Sequence, residues 1–178
     1  MDQLRVERPD EREVDAYLRL RDAAAERMVA QGIEQWVPGE VTHGRMRELG
    51  WGDRLHVARL GDEVIGGVIV VWTDQLFWGD RPEPAGYVHG LLVDAGHKGA
   101  GLGQRLLAWA ECHIAASGRA LARLDTVTTN ERLRRYYRDA GYAEVGERVF
   151  EDGGVFGDGA RIASCTLLEK RLGCQGDH

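Results

Sequence analysis

Serine is nearly absent. The 178-residue chain holds only Ser117 and Ser164, and neither stands in a G-x-S-x-G frame, which removes the serine hydrolases from consideration. Three cysteines, Cys112, Cys165 and Cys174, are an odd number without a C-x-x-C spacing, so neither a disulfide framework nor a cysteine zinc site is expected. The six histidines include no H-E-x-x-H and no pair four apart, and no metal is expected from them. No apolar run exceeds VIGGVIVVW at 64–72, too short to span a bilayer, and the charged opening MDQLRVERPDERE does not read as a secretory signal. A formal net charge of −6 argues against a nucleic-acid backbone as main ligand. These absences lead to the expectation of a soluble cytoplasmic protein, with neither membrane nor nucleic acid as partner, built around a small-molecule site. At this length and 43% hydrophobic content, one domain over 1–178 with a sizeable core is expected.

What is present has a clear order. QLRVE at 3–7 reads as a strand. Asp10, with Glu13 three residues on, reads as the capping box of a helix that turns Val14, Leu18, Ala25 and Met28 inward. Thr42 caps a second helix over 42–49. RLHVARL at 54–60 and EVIGGVIVVWT at 63–73, joined through Gly61-Asp62, form the clearest hairpin. A strand follows at 86–94, reached through the turn-rich WGDRPEPAG, then a glycine-rich loop with a helix behind it and a strand at 120–128. A helix over 130–140 and strands at 143–150 and 160–168 complete the chain, the last two joined as a long hairpin through EDGGVFGDG. Strand, helix and strand across 86–128 form a crossover, so those two strands should be parallel between antiparallel hairpins. The expected class is α+β (mixed α/β) with a mixed, mostly antiparallel sheet and flanking helices.

The loop HKGAGLGQ carries the chemistry. Glycines 99, 101 and 103 let the backbone approach a ligand closely, and a helix starting directly behind turns free N–H groups and its positive dipole end on the same place. That combination suits a pyrophosphate, although a bare strand-to-helix turn needs similar residues. A P-loop would require Lys and then Ser or Thr after Gly103 and finds Gln104 and Arg105. A dinucleotide fingerprint begun at Gly99 would require Gly or Ala at 104. Asp125 lies about 20 residues past the loop, where an acid would hold a ribose, but a hairpin and not a βαβ unit precedes it.

Lys98-Gly99-Ala100-Gly101-Leu102-Gly103 resembles the Q/R-x-x-G-x-G/A signature of the GNAT family of N-acetyltransferases, with Lys98 at the Gln/Arg position. Asn130 to Tyr142 resembles that family's N-x6-Y-x3-G-F segment, with Tyr142 for Phe. The strand GYVHGLLVD sits at the family's usual distance ahead of the loop. The three segments place an acyl-CoA-binding core at about 86–145. The resemblance implies a GNAT-like domain in which two parallel central strands splay apart. It also implies acetyl-CoA as co-substrate, with direct transfer to a primary amine of a small molecule (an antibiotic, polyamine or amino acid) or of a peptide. Dimers are common in that family, and a homodimer is a further implication. Two other classes remain open: an acyl-CoA-binding sensor of the same fold without turnover, and a dinucleotide-binding oxidoreductase.

By the same resemblance, Lys98, Gly99, Ala100, Gly101, Leu102, Gly103, Gln104, Asn130 and Tyr137 belong to the cofactor site. A bulge before the loop frees amides around Leu91, Leu92 and Val93 for the pantetheine and thioester. Tyr137, four residues before Gly141 and seven after Asn130, takes the position of the general acid, and Tyr136, one place off, is expected to face elsewhere. The general base is less constrained. Tyr87 and His89 share one strand face, and His89, an imidazole of ordinary pKa about 6.5, is the better proton acceptor unless it is a satisfied core histidine. Asp125 is the only acid of its strand, either hydrogen-bonded structure or a partner for a cationic amine. Glu34 and Trp36, in GIEQW, are candidate walls of the acceptor pocket. Trp72, Phe77 and Trp78 either line the same cleft or pack. Cys112 and Cys165 have no motif of an acyl carrier.

Overall fold

A computed structural model describes residues 3–33, 35–151, 155–156 and 160–173. The capping box forms as expected: the Asp10 carboxylate accepts from the Glu13 amide, and the Glu13 carboxylate from the Asp10 amide, each at 2.9 Å. A cap of this kind stabilises a helix start by about 1 kcal/mol. After strand β1 (Leu4–Glu7) it launches α1 (Glu11–Ala30), whose buried stripe is Tyr17, Arg21 and Ala25 at four-residue spacing. Val14 and Leu18 only flank that stripe. The apolar residues, Ala25 among them, pointed to the correct side of α1 but hid the two polar-tipped members of the buried stripe, Tyr17 and Arg21.

Thr42 caps α2 (His43–Glu48) by accepting from the Arg45 amide. The hairpin of β2 (Leu55–Leu60) and β3 (Glu63–Val71) follows. Next comes α3 (Gln75–Trp78), a single turn capped by Asp74 and too short for any periodic signal. β4 (Ala85–Val93), α4 (Leu102–Ala116) and β5 (Leu121–Val127) make the crossover, and α5 (Glu131–Asp139) and β6 (Ala143–Val149) come after it. The long hairpin lies partly outside the described residues. Within it, β7 (Val155–Phe156) pairs with β8 (Ala160–Arg161), and β9 (Ser164–Arg171) returns antiparallel to β6. The expected last strand at 160–168 starts too early because the buried Ile162 extends the apolar pattern ahead of the ladder.

Seven strands form one sheet in the order β1-β2-β3-β4-β5-β9-β6, and β4–β5 is its parallel pair. The mixed sheet is as expected. One core, with Tyr17, Met46 and Leu55, packs on the α1 face, and a second, with Leu106, Ile114 and Val68, on the α4 face.

The parallel pair is short. Ala85, Gly86 and Tyr87 register with Leu121, Ala122 and Arg123, and beyond Tyr87 the two strands part. On its other side β4 gains one residue: Leu92 faces Gly67 and His89 faces Ile69, so three steps on β4 oppose two on β3. Gly90 sits in that bulge at φ 56°, and its carbonyl accepts from the Tyr17 hydroxyl at 2.7 Å. A Cβ on Gly90 would stand 2.3 Å from that hydroxyl oxygen and 3.1 Å from Ile69 Cδ1. Gly90→Ala should therefore cost about 2–5 kcal/mol, adding left-handed backbone strain to overpacking. Urea unfolding measures this, and Tyr17→Phe, which removes the struck atom, should recover part of the loss.

Candidate active site

Where β4 and β5 part, a cavity of about 450 Å³ opens between them, with α1 and α5 among its walls. A neighbouring cavity of about 400 Å³ lies over the glycine loop, and Val93, Lys98 and Tyr136 line both. Gly101 holds the left-handed φ of 68° and caps α4 without a side-chain acceptor, so the loop presents the uncapped first turn of a 15-residue helix. Gly99 is also left-handed, at φ 85°. A Cβ on Gly103 would come within 3.1 Å of the Tyr136 hydroxyl, so that side chain would have to give way slightly to any residue larger than glycine. Lys98, Gly99, Gly101, Leu102, Gly103 and Gln104 line this smaller cavity, and Ala100 does not. A bare, amide-rich, dipole-positive cradle beside a lysine fits a pyrophosphate such as that of acetyl-CoA.

The strand edge is more selective than its sequence suggests. Asp94 donates its amide to the Ile65 carbonyl on β3 at 2.7 Å. Strand alternation then turns the Val93 and Leu91 amides to the opening and the Leu92 amide to β3. Leu92 contributes its buried side chain to the α1-face core.

Tyr137 and Asn130 both line the larger cavity. Asn130 caps α5 by accepting from the Leu133 amide at 3.2 Å, and its Nδ2 donates to Gln35 Oε1 at 3.1 Å. Tyr137 is 7% exposed, and burial, with the neighbouring Tyr136 and Asp125, pushes its phenol well above the ordinary value. It stays protonated, as a proton donor must. Tyr136 does not face elsewhere: it lines both cavities and packs edge-on to Tyr137, ring centroids 5.3 Å apart. α5 crosses the mouth of the cleft, so two successive side chains reach it.

Opposite Tyr137 lies a cluster whose third member the sequence reading did not find. His89 Nε2 is 3.1 Å from Asp74 Oδ2, and one ligand-type atom each of Asp74, His89 and Asp125 lie within 4.8 Å of one another. Trp51 stacks on His89 at 5.5 Å and Phe77 lies 6.1 Å from it, shielding the imidazole from water. Burial pulls His89 down, but the hydrogen bond and charge of Asp74, with the charge of Asp125, outweigh it, and its net shift is upward. Asp125 is pushed up to about 7, first by burial and then by Asp74, against the pull of His89 and a hydrogen bond from Cys165. Asp125 Oδ1 has no hydrogen-bond partner among the described residues. Such a group gains from a proton or from an arriving cation. The three side chains are close enough to share one positive charge, whereas the expectation of no metal rested on the spacing of cysteines and histidines along the chain.

The other candidates divide. Trp36 lines the cavity, as do Trp51 and Phe77. Tyr87 does not: it is buried against Trp78, and its hydroxyl accepts from Arg123 Nη1 at 3.0 Å. Trp72 lies instead against His113 on α4, beneath Arg119. Glu34 is outside the described residues. Cys165 is buried at the cavity, its thiol pushed up by burial and Asp125, and Cys112 is exposed. A thiol held protonated in this way is a poor nucleophile.

No helix among the described residues is long and apolar enough to cross a membrane. Residues 17–142 match the model of the acetyltransferase (GNAT) family. An uncharacterized N-acetyltransferase of Bacillus subtilis, YesJ, is 36% identical over 92 residues, which make up 48% of this chain and 51% of that protein. Among solved structures, a GNAT-family acetyltransferase of Listeria monocytogenes superposes with a TM-score of 0.72 at 20% identity, covering 95% of each chain. YncA of Salmonella typhimurium, a putative acetyltransferase solved with acetyl-CoA, superposes with a TM-score of 0.66 at 17% identity, covering 99% of this chain and 98% of that one. Splayed parallel strands, glycine cradle and family match agree, and the chain belongs to the GNAT acetyltransferase family.

Proposed function

We propose that the protein moves an acetyl group from acetyl-CoA directly to a primary amine, at the cavity between β4 and β5. One observation carries this reading: the glycine cradle leads along the free edge of β4 into a cleft that holds a protonated phenol and a cluster of carboxylates and imidazole. Acetyl-CoA supplies the activated thioester when bound. Lys98 and the first-turn amides of α4 hold its pyrophosphate, and the Leu91 and Val93 amides serve the developing oxyanion. Asp125 attracts the amine in its cationic form. His89, oriented by Asp74, takes the proton that frees the lone pair, and Tyr137 donates a proton to the departing thiolate and is reprotonated by the second proton that the acylated nitrogen sheds. The buried, protonated thiol of Cys165 fits transfer without a covalent enzyme intermediate.

Thiol release from acetyl-CoA across a panel of alkylamines, polyamines, amino acids, aminoglycosides and short peptides tests the reading. Turnover on at least one class is the expected outcome. Acetyl-CoA binding without turnover on any class would favour a sensor. A melting temperature raised by nicotinamide dinucleotides and not by acetyl-CoA would overturn the reading altogether.

A further inference from the structure

The cavity has a second polar wall, built by α1 and the segment that follows it. Arg21 on α1 is 4% exposed, and its Nη2 pairs with Oε1 of Glu40, in the segment ahead of α2. Both residues line the cavity, and Trp36 lies beneath the guanidinium, 4.7 Å from Cζ to ring centroid. The pair is only half satisfied: Arg21 Nη1 and Glu40 Oε2 are buried with no hydrogen-bond partner among the described residues. A buried ion pair in that condition is a poor stabilising device, because its remaining donor and acceptor have given up water without replacement.

What would complete it must accept from Nη1 and donate to Oε2. A carboxylate satisfies the arginine and is repelled by Glu40, and a second ammonium meets the reverse problem. A neutral primary amide carries C=O and a syn N–H along one edge of a rigid plane, one acceptor and one donor side by side, whereas a trans peptide amide points them in opposite directions.

We propose that the acceptor is an amine that also carries a primary amide, as an amino-acid amide does. Its amide seats on Arg21 and Glu40 while its amine reaches Asp125 and His89. This rests on the acetyltransferase reading and narrows its acceptor class.

The test compares kcat/KM, referred to the neutral amine, for glycinamide, glycylglycinamide, glycine, ethanolamine and ethylamine. At least one of the two amides should exceed glycine, ethanolamine and ethylamine by about tenfold or more, equivalent to about 1.4 kcal/mol. Arg21→Lys removes Nη1 and should bring the amide-to-ethylamine ratio towards unity. Glu40→Gln removes the charge that repels a carboxylate and should raise glycine relative to the amides. Melting curves confirm that each variant folds, and if Arg21→Lys does not, Glu40→Gln and the wild-type series still decide. Equal rates for amides and ethylamine, or a preference for ethanolamine, would mean that water or a hydroxyl completes the pair. The amide proposal would then fall with acetyl transfer intact. Absence of thiol release with these and every other amine, while acetyl-CoA binds, would bring down the acetyltransferase reading and the amide proposal together.

Discussion

Tyr137→Phe should lower kcat by about 10²- to 10³-fold, the range expected for loss of one positioned general acid, while the Kd for acetyl-CoA changes less than about threefold. The substitution removes one oxygen and keeps the ring that packs against Tyr136 and Tyr142. The asymmetry between turnover and binding is the point of the experiment. A phenol serving only as a wall would cost binding and turnover alike. Tyr136→Phe is the necessary companion, because that hydroxyl also lines the cleft and its pKa is raised by burial. If Tyr136→Phe lost the turnover and Tyr137→Phe kept it, the acid would be the neighbouring residue and the motif position would have misled.

The second large effect concerns proton removal. His89→Gln should reduce kcat/KM by about 10²-fold and abolish the part of its acid limb that belongs to the imidazole. The direction for Asp74→Asn follows from the shifts. His89 acts as a base only when neutral, and its pKa is raised because Asp74 stabilises the imidazolium, against the effect of burial. Removing the Asp74 charge lowers that pKa, so the neutral form persists to lower pH and the acid limb should move downward. Asn at this position retains an oxygen for capping α3, where Asp74 Oδ1 accepts from the Phe77 amide at 3.2 Å. A merely structural Asp74 would leave the limb in place. Asp125, at about 7, titrates in the same region, so the observed limb belongs to the cluster, and Asp125→Asn should simplify it. An unmoved profile in His89→Gln would remove His89 as the base.

Features built from neighbouring residues were legible before any coordinates. The capping box of α1, the hairpin about Gly61-Asp62, the glycine loop and the placing of Tyr137 each depend on spacing along the chain, and spacing is what a sequence displays. Features built by the sheet were not. Asp74 reads as a turn residue and meets His89 only because α3 sets it against a strand that begins 11 residues later. Arg21 reads as one more charge on a polar helix, and only the wall of the cleft shows that it is buried. Tyr87 and His89 share a strand face, yet they part company because β5 stays paired at Tyr87 and has left by His89. A two-residue period says which face a side chain takes, but not where the neighbouring strand ends.

That early parting has a mechanical side. The seven strands are two blades, β1 to β4 and β5 with β9 and β6, sewn together along a seam of three residue pairs. A seam so short leaves the core beneath α4 to hold the blades together, and whatever fills the wedge beyond it adds contacts to both. Occupancy of the cleft should therefore stiffen the molecule as a whole, with the amides of Leu91 and Val93 losing exchange with solvent first.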